Sequence, residues 1–320
     1  MKQFMSMAIA VILAVLMFAG CGSTAVSNKD NGKISVVSTV FSPYDFTRQI
    51  TGDKAEITML LPPAAELHSF EPTPQDIIKI QNCDVFIYVG GESDEWVREV
   101  FESMDTSKMK IVTLIDCVEP VEEVIVDGME DEEEEATEPG AQEEPEYDEH
   151  VWTSPGNAKL IVQKISDTVC EIDSANANTY KSNTASYLEQ LDELDGKFKD
   201  VVDNAVRKTI VFGDRFPFRY FADAYGLEYF AAFPGCSTET EASAKTVTFL
   251  IDKINEEAIP VVFHIELSNE KMVNTIAEST GAKVCLLHAC HNISKDDFDA
   301  GKTYMDLMSA NAATLKEALQ

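Results

Sequence analysis

The chain has 320 residues, 45% of them hydrophobic, with 56 Asp and Glu against 25 Lys and Arg and a formal net charge of -31. That length and apolar content sustain two domains with cores of their own. An excess of negative charge this large argues against nucleic acid as a partner and for a solvated or cation-facing protein.

The N-terminus reads MKQFMSMAIAVILAVLMFAGC, an early Lys followed by an apolar run from Met7 to Phe18 and the small residues Ala19 and Gly20. This is the pattern of an export signal, too short for a membrane span and followed at once by polar residues. Cys21 directly after small residues resembles the lipobox of bacterial lipoproteins, with Phe18 in place of the usual Leu. That resemblance implies cleavage after residue 20 and a lipid on Cys21. Residues 22–32 read as a flexible tether.

From Lys33 strand and helix alternate: KISVVSTVF, YDFTRQIT, AEITMLL, PQDIIKIQN, DVFIYVG and MKIVTLI. Thr73, Pro74 and Asp76 supply an N-cap, a first-turn Pro and an early carboxylate for the second helix. The segment 127–149 holds 13 carboxylates and no Lys or Arg, which predicts a mobile acidic loop. It either concentrates cations near His150 or serves as a solvated linker, and deleting residues 128–146 should leave one tight site intact. Ser154 and Pro155 open another helix, and a longer one over 176–207 carries Tyr180, Tyr187, Leu191, Leu194, Phe198 and Val201 at helical spacing. At ~1.5 Å per residue this rod is longer than one such domain needs, so it is the expected connector. The alternation then restarts with KTIVFG and continues through AKVCLLH to a final helix ending near Leu319. The predicted fold is therefore α/β: two lobes, each a small parallel sheet flanked by helices, joined by one long rigid helix. The expected bounds are 33–172, 173–207 and 208–320, with a ligand site between the lobes.

Only five histidines occur, at 68, 150, 264, 288 and 291. His68 lies in LPPAAELHSFEPTPQDI after a strand end, and His150 closes the acidic run as YDEHVWTSP. Imidazole this scarce, set beside carboxylates and Pro-rich turns, points to a transition-metal ion. HExxH, GxSxG and a phosphate-cradling Gly-rich loop are absent, so a metal-dependent hydrolase finds no support. A metal-stabilised adhesin or structural lipoprotein is the other alternative. Cys236 and Cys290 both follow strand ends of the second lobe, where they either form a disulfide or act as thiolate ligands.

LPPAAELHSFEPTPQDI and YDEHVWTSPGNA, with TYMDLMSANAATLKEAL at the end, resemble the metal-binding lipoproteins of bacterial ABC importers for zinc or manganese. The resemblance covers residue 33 to the C-terminus. It implies an extracytoplasmic, lipid-anchored monomer that holds a divalent ion between two lobes and hands it to a membrane permease, with no enzymatic step. His68 and His150 match the first two ligand positions. In GDRFPFRYFADAYGL the family's third position falls on Arg215, which has no lone pair to offer. Either Asp214 substitutes or a ligand comes from elsewhere. The loop LLHACHN offers His288 or His291, of which His291 lies farther into the loop. Glu266 is a further candidate ligand, or alternatively an ion-pair partner of Arg215, and His264 reads as a core or supporting residue. Three imidazoles and at most one carboxylate favour Zn2+ over Mn2+.

Overall fold

In the first half of the chain, short β-branched runs stack side by side with both faces covered, as parallel strands require. A computed structural model describes residues 32–66, 69–129, 146–237 and 241–320. Strands β1 (Ile34–Ser38), β2 (Ala55–Met59), β3 (Val85–Tyr88) and β4 (Lys110–Thr113) form an all-parallel sheet in the order β2-β1-β3-β4. Its centre is apolar, with Val36, Val85, Phe86 and Ile87 fully buried. Helices α1 (Phe41–Thr51), α2 (Pro74–Asn82) and α3 (Glu95–Glu102) make the connections. The start of α2 carries a capping box, in which Thr73 Oγ1 accepts from Asp76 N while Asp76 Oδ2 accepts from Thr73 N. Ser154 behaves differently. It starts α4 (Pro155–Ile172) through its backbone, Ala158 N donating to Ser154 O, with no cap from its hydroxyl.

Helix α5 (Ala177–Asp203) follows, and its 27 residues make a rod of about 40 Å at ~1.5 Å each. Its buried stripe is Tyr180, Thr184, Tyr187, Leu191, Leu194, Phe198 and Val202. The last inward residue is Val202, whereas the spacing had predicted Val201, because the 3.6-residue period drifts across seven turns.

The second half repeats the first. Strands β5 (Thr209–Phe216), β6 (Glu228–Pro234), β7 (Val261–His264) and β8 (Lys283–Leu286) form a parallel sheet in the order β6-β5-β7-β8, the same permutation as the first sheet. Helices α6 (Arg219–Tyr225), α7 (Ala244–Glu257), α8 (Lys271–Thr280), α9 (Lys295–Asp299) and α10 (Tyr304–Leu319) surround it. Two parallel lobes flanked by helices is the predicted fold. In its first half α5 packs Tyr187 against Phe46 of α1 (ring centroids 6.2 Å apart), and towards its end it packs Phe198 against Phe221 of α6 (4.8 Å). One hydrophobic cluster therefore runs through both lobes along α5. Among the described residues no helix is long and apolar enough to cross a membrane. The signal, Cys21, the tether expected over 22–32 up to residue 31, and most of the acidic loop (130–145) lie outside the described residues.

Candidate metal centre

His150 ends an extended segment and enters a single 3-10 turn, Val151–Thr153, just before α4. Asp148, two residues back, turns its Oδ1 on the same residue twice, accepting from His150 N at 2.8 Å and lying 3.1 Å from His150 Nδ1. The position of Asp148 is fixed in turn by Tyr220, whose hydroxyl donates to Asp148 O at 2.9 Å. Tyr220 itself is carried on α6.

His291 lies in the loop after β8, and the same device recurs there with a carboxylate from another strand. Glu266, just past β7, accepts on Oε1 from His291 N at 3.0 Å, with His291 Nδ1 at 3.3 Å, and on Oε2 from Ala289 N at 2.6 Å. A carboxylate can only accept, so each Nδ1 carries the proton and each neutral ring keeps its lone pair on Nε2. Both Nε2 atoms are shut off from bulk solvent. The two rings face one another with centroids 4.5 Å apart and planes at 89°, and Trp152 lies edge-on to both at 5.8 and 5.6 Å.

Charge at the site follows from burial and these partners. Burial alone would lower the His150 pKa, but Asp148, Glu149 and Glu123 outweigh it and hold it above the ordinary imidazole value. His291 goes the other way, pushed down by burial and then by the charge of His150, against the pull of Glu266. For Glu266 burial acts upward, but His288, His291 and the Ala289 amide together hold it well below the usual carboxylate range. A carboxylate thus stands behind each ring, Asp148 behind His150 and Glu266 behind His291, while the charge of one ring disfavours protonation of the other, a setting that favours one shared cation.

The loop that carries His291 is fastened to the other lobe. Phe41 N donates to His291 O (2.9 Å), Ser42 Oγ to Cys290 O (2.7 Å), and Ala64 N to Ile293 O (2.9 Å). Asn292 Nδ2 donates to Pro62 O and Ala65 O, both at 2.8 Å, and Trp152 Nε1 to Ala289 O at 2.8 Å. These bonds hold Cys290 at φ 61°, a left-handed conformation costly for a residue with a Cβ.

The structure brings His150 and His291 together, and the remaining candidates distribute around them. His68 lies outside the described residues. His288 stands on the far side of Glu266, with Nδ1 accepting from Cys290 N at 3.0 Å, and its ring lines a different cavity of about 400 Å³ beside Asp297 and Lys302. Glu266, expected among the ligands, has both oxygens committed to N–H groups and orients His291. Arg215 pairs with Glu66, not with Glu266, through two contacts of 3.1 Å each. Asp214, at a bulge in β5, is occupied by the backbone amides of Arg215 and Ile265. His264 bonds the neighbouring Ile265 carbonyl and stays at its strand end. Cys236 and Cys290 are free thiols, like the other four described cysteines, so the expected disulfide is absent among the described residues. Burial pushes both thiols well above their ordinary pKa, which also disfavours thiolate ligation. Among the described residues no group of three or more His, Cys, Asp or Glu is arranged to hold a metal ion.

Sequence reasoning missed three supporting residues. Glu123 accepts on Oε1 from Gly235 N (2.6 Å) and Cys236 N (3.2 Å), tying the segment before the acidic run to the loop after β6. Gly235 lies so close to His150 that a Cβ there would be 3.0 Å from Cε1 of the ring. Glu66 was legible only as the acidic residue before His68, because nothing along the chain announces its partner across the cleft.

Residues 36–318 match the family model for the periplasmic zinc-uptake complex component A, ZnuA. The chain is 30% identical over 307 residues to the high-affinity zinc uptake system protein ZnuA of Bacillus subtilis, covering 95% of this chain and 94% of that one. It is 28% identical to the zinc-binding lipoprotein AdcA of Streptococcus pneumoniae and spans 59% of that longer protein. Among solved structures, the metal-dependent lipoprotein YcdH of B. subtilis superposes with a TM-score of 0.75 at 30% identity, over 90% of this chain and all of that one (100%). The Zn(II)-bound ZnuA-like domain of S. pneumoniae AdcA gives 0.73 at 28%, over 90% and 99% of the two chains. With the match running almost end to end through both lobes, the chain belongs to the ZnuA family of zinc-uptake substrate-binding proteins.

Proposed function

We propose that the protein captures a divalent transition-metal ion, zinc in preference to manganese, in the cleft between its lobes and delivers it to the permease of an ABC importer. The observation that carries this reading is the paired arrangement at His150 and His291: perpendicular buried rings from the two lobes, 4.5 Å apart, each with Nδ1 backed by a carboxylate. Two imidazole donors suit zinc, and His68, which follows β2 in sequence, is the third ligand in this reading. The ion is cargo, so no bond needs to be made or broken, and the family is one of binding proteins for uptake. Export and a lipid on Cys21 would hold a monomer at the outer face of the membrane, close to its permease.

The test is direct. Protein purified without added metal is submitted to elemental analysis and to competitive zinc titration, alongside the single variants His68→Ala, His150→Ala and His291→Ala. Outer-shell partners alone cost roughly 10–100-fold in affinity, so each ligand deletion should cost more than about 100-fold. Cells carrying the variants should fail to grow in chelator-treated medium. Unchanged zinc affinity in any one variant removes that residue from the ligand set, and unchanged growth and uptake in all three argues for a structural metal.

A further inference from the structure

The Glu66–Arg215 pair remains unexplained by the centre itself. Arg215 leaves β5 just past its bulge, and its side chain is 9% exposed. The guanidinium gives Nη1 to Glu66 Oε1 and Ser237 O, and Nη2 to Glu66 Oε2, each at 3.1 Å. This is the planar, two-point grip that only arginine supplies, and it engages both oxygens of the carboxylate. The pair walls a cavity of about 20 Å³ whose other lining includes His291, Glu266 and Asn292. A space that small holds about one water molecule. Glu66 is within electrostatic range of the His291 ring, since its charge raises the tendency of that ring to hold a proton. The second carboxylate at this cavity, Glu266, is spent on three N–H contacts.

Resting on the metal-capture reading above, we infer that Arg215 is a specificity-determining residue: it holds Glu66 in a bidentate pair and so withholds an oxygen donor from the captured ion. The shell on this side is then imidazole nitrogen plus at most one water. Manganese, magnesium and calcium require several oxygen ligands and six or more positions, and gain little from such a shell. Zinc is satisfied by four ligands with nitrogen among them. Arg215 itself cannot ligate, so it acts by positioning Glu66 and by filling space.

The experiment compares Zn2+ and Mn2+ dissociation constants for the wild-type chain, Arg215→Met, Arg215→Lys and the double variant Arg215→Met/Glu66→Gln. Arg215→Met removes the grip and leaves the carboxylate beside the cavity. The expected result is tighter manganese binding and a Zn/Mn selectivity lowered by about tenfold or more, a free-energy change of about 1.4 kcal/mol. Arg215→Lys, which keeps the charge but not the fork, should fall between, and it carries the comparison if the Met variant does not fold. The double variant, with no carboxylate to release, should return to the wild-type ratio. An unchanged ratio in both single variants, parallel weakening of both ions, or a manganese gain that survives in the double variant overturns the inference. Failure of the wild-type chain to bind zinc overturns the metal-capture reading as well, whereas tight wild-type binding with an unmoved ratio overturns this inference alone.

Discussion

Replacing Glu266 with Gln changes one atom and should be far more damaging than the equivalent change at Asp148. Glu266 accepts on Oε1 from His291 N (3.0 Å), with Nδ1 at 3.3 Å, and on Oε2 from Ala289 N (2.6 Å). An amide has one accepting oxygen, so either orientation points an NH2 group at a buried N–H. Each hydrogen bond left unmade in a buried setting costs about 1–3 kcal/mol, towards the upper end where one partner was charged. Asp148 differs, because His150 N and Nδ1 both approach the same oxygen, Oδ1. Asn at 148 can keep its carbonyl there, fixed by the backbone amide, and loses only the charge. Glu266→Gln should therefore weaken zinc binding towards the 100-fold end of the roughly 10–100-fold range seen for outer-shell partners, and destabilise the metal-stripped protein by about 2–3 kcal/mol. Asp148→Asn should stay near the tenfold end, with less than about 1 kcal/mol lost. Competition against a chromophoric zinc chelator and urea unfolding after metal removal read the two quantities. Zinc affinity within about threefold of wild type for Glu266→Gln, or equal losses for the two variants, would refute the reasoning.

Acidification should release zinc, because protons compete for the ring nitrogens. With the His150 pKa held above its ordinary value, the loss of affinity in a pH titration should begin above about pH 6.5. Asp94 gives a separate signal in stability: burial, reinforced by Glu149, pushes its carboxyl up to about 7. A raised folded-state pKa means a contribution that is fully present below the unfolded value of about 3.9 and lost as pH rises through 7, on the order of 3–4 kcal/mol. Asp94→Asn retains an acceptor for Val89 N and Gly90 N and should flatten unfolding free energy against pH across that window, and an unaltered slope would count against it. Gly235→Ala places a Cβ 3.0 Å from both His150 Cε1 and Phe216 O. Overpacking of about 1–3 kcal/mol should appear as a roughly 5–150-fold loss of zinc affinity with the far-UV circular dichroism unchanged, and undiminished affinity would show that the ring can yield. Trp152→Phe leaves the buried Ala289 carbonyl without its indole donor and should cost about 1–3 kcal/mol in urea unfolding.

The fold was legible because its signals are local and repeated. Apolar runs such as ISVVS and VVFH can be read as strands before any partner is known, and the alternation with helices leaves few arrangements besides a parallel sheet. Scarcity and placement drew attention to His150, whereas the family resemblance left His288 and His291 both open and only the folded loop puts the ring of His291 beside that of His150. What the chain could not display were distances across the cleft. Glu266 and Glu66 are equally acidic in sequence, yet one backs a ring and the other grips an arginine, because only the folded loops decide which N–H groups each one meets. Cys236 and Cys290 looked like a bridge for the same reason: two thiols after strand ends carry no information on how the loops diverge.

The fastening of residues 289–293 to the opposite lobe means that inheritance along the chain and allegiance in the folded state are different things. That pentapeptide is encoded with the second half, but its carbonyls and its asparagine are satisfied by Phe41, Ser42, Pro62, Ala64, Ala65 and Trp152 of the first. A chimera of two relatives joined at the end of α5 would therefore keep the loop's contacts with Glu266 but set its carbonyls and Asn292 against partners from a different relative. Grafts that are to keep their grip on the ion must exchange the two stretches, 41–65 and 287–293, as one piece.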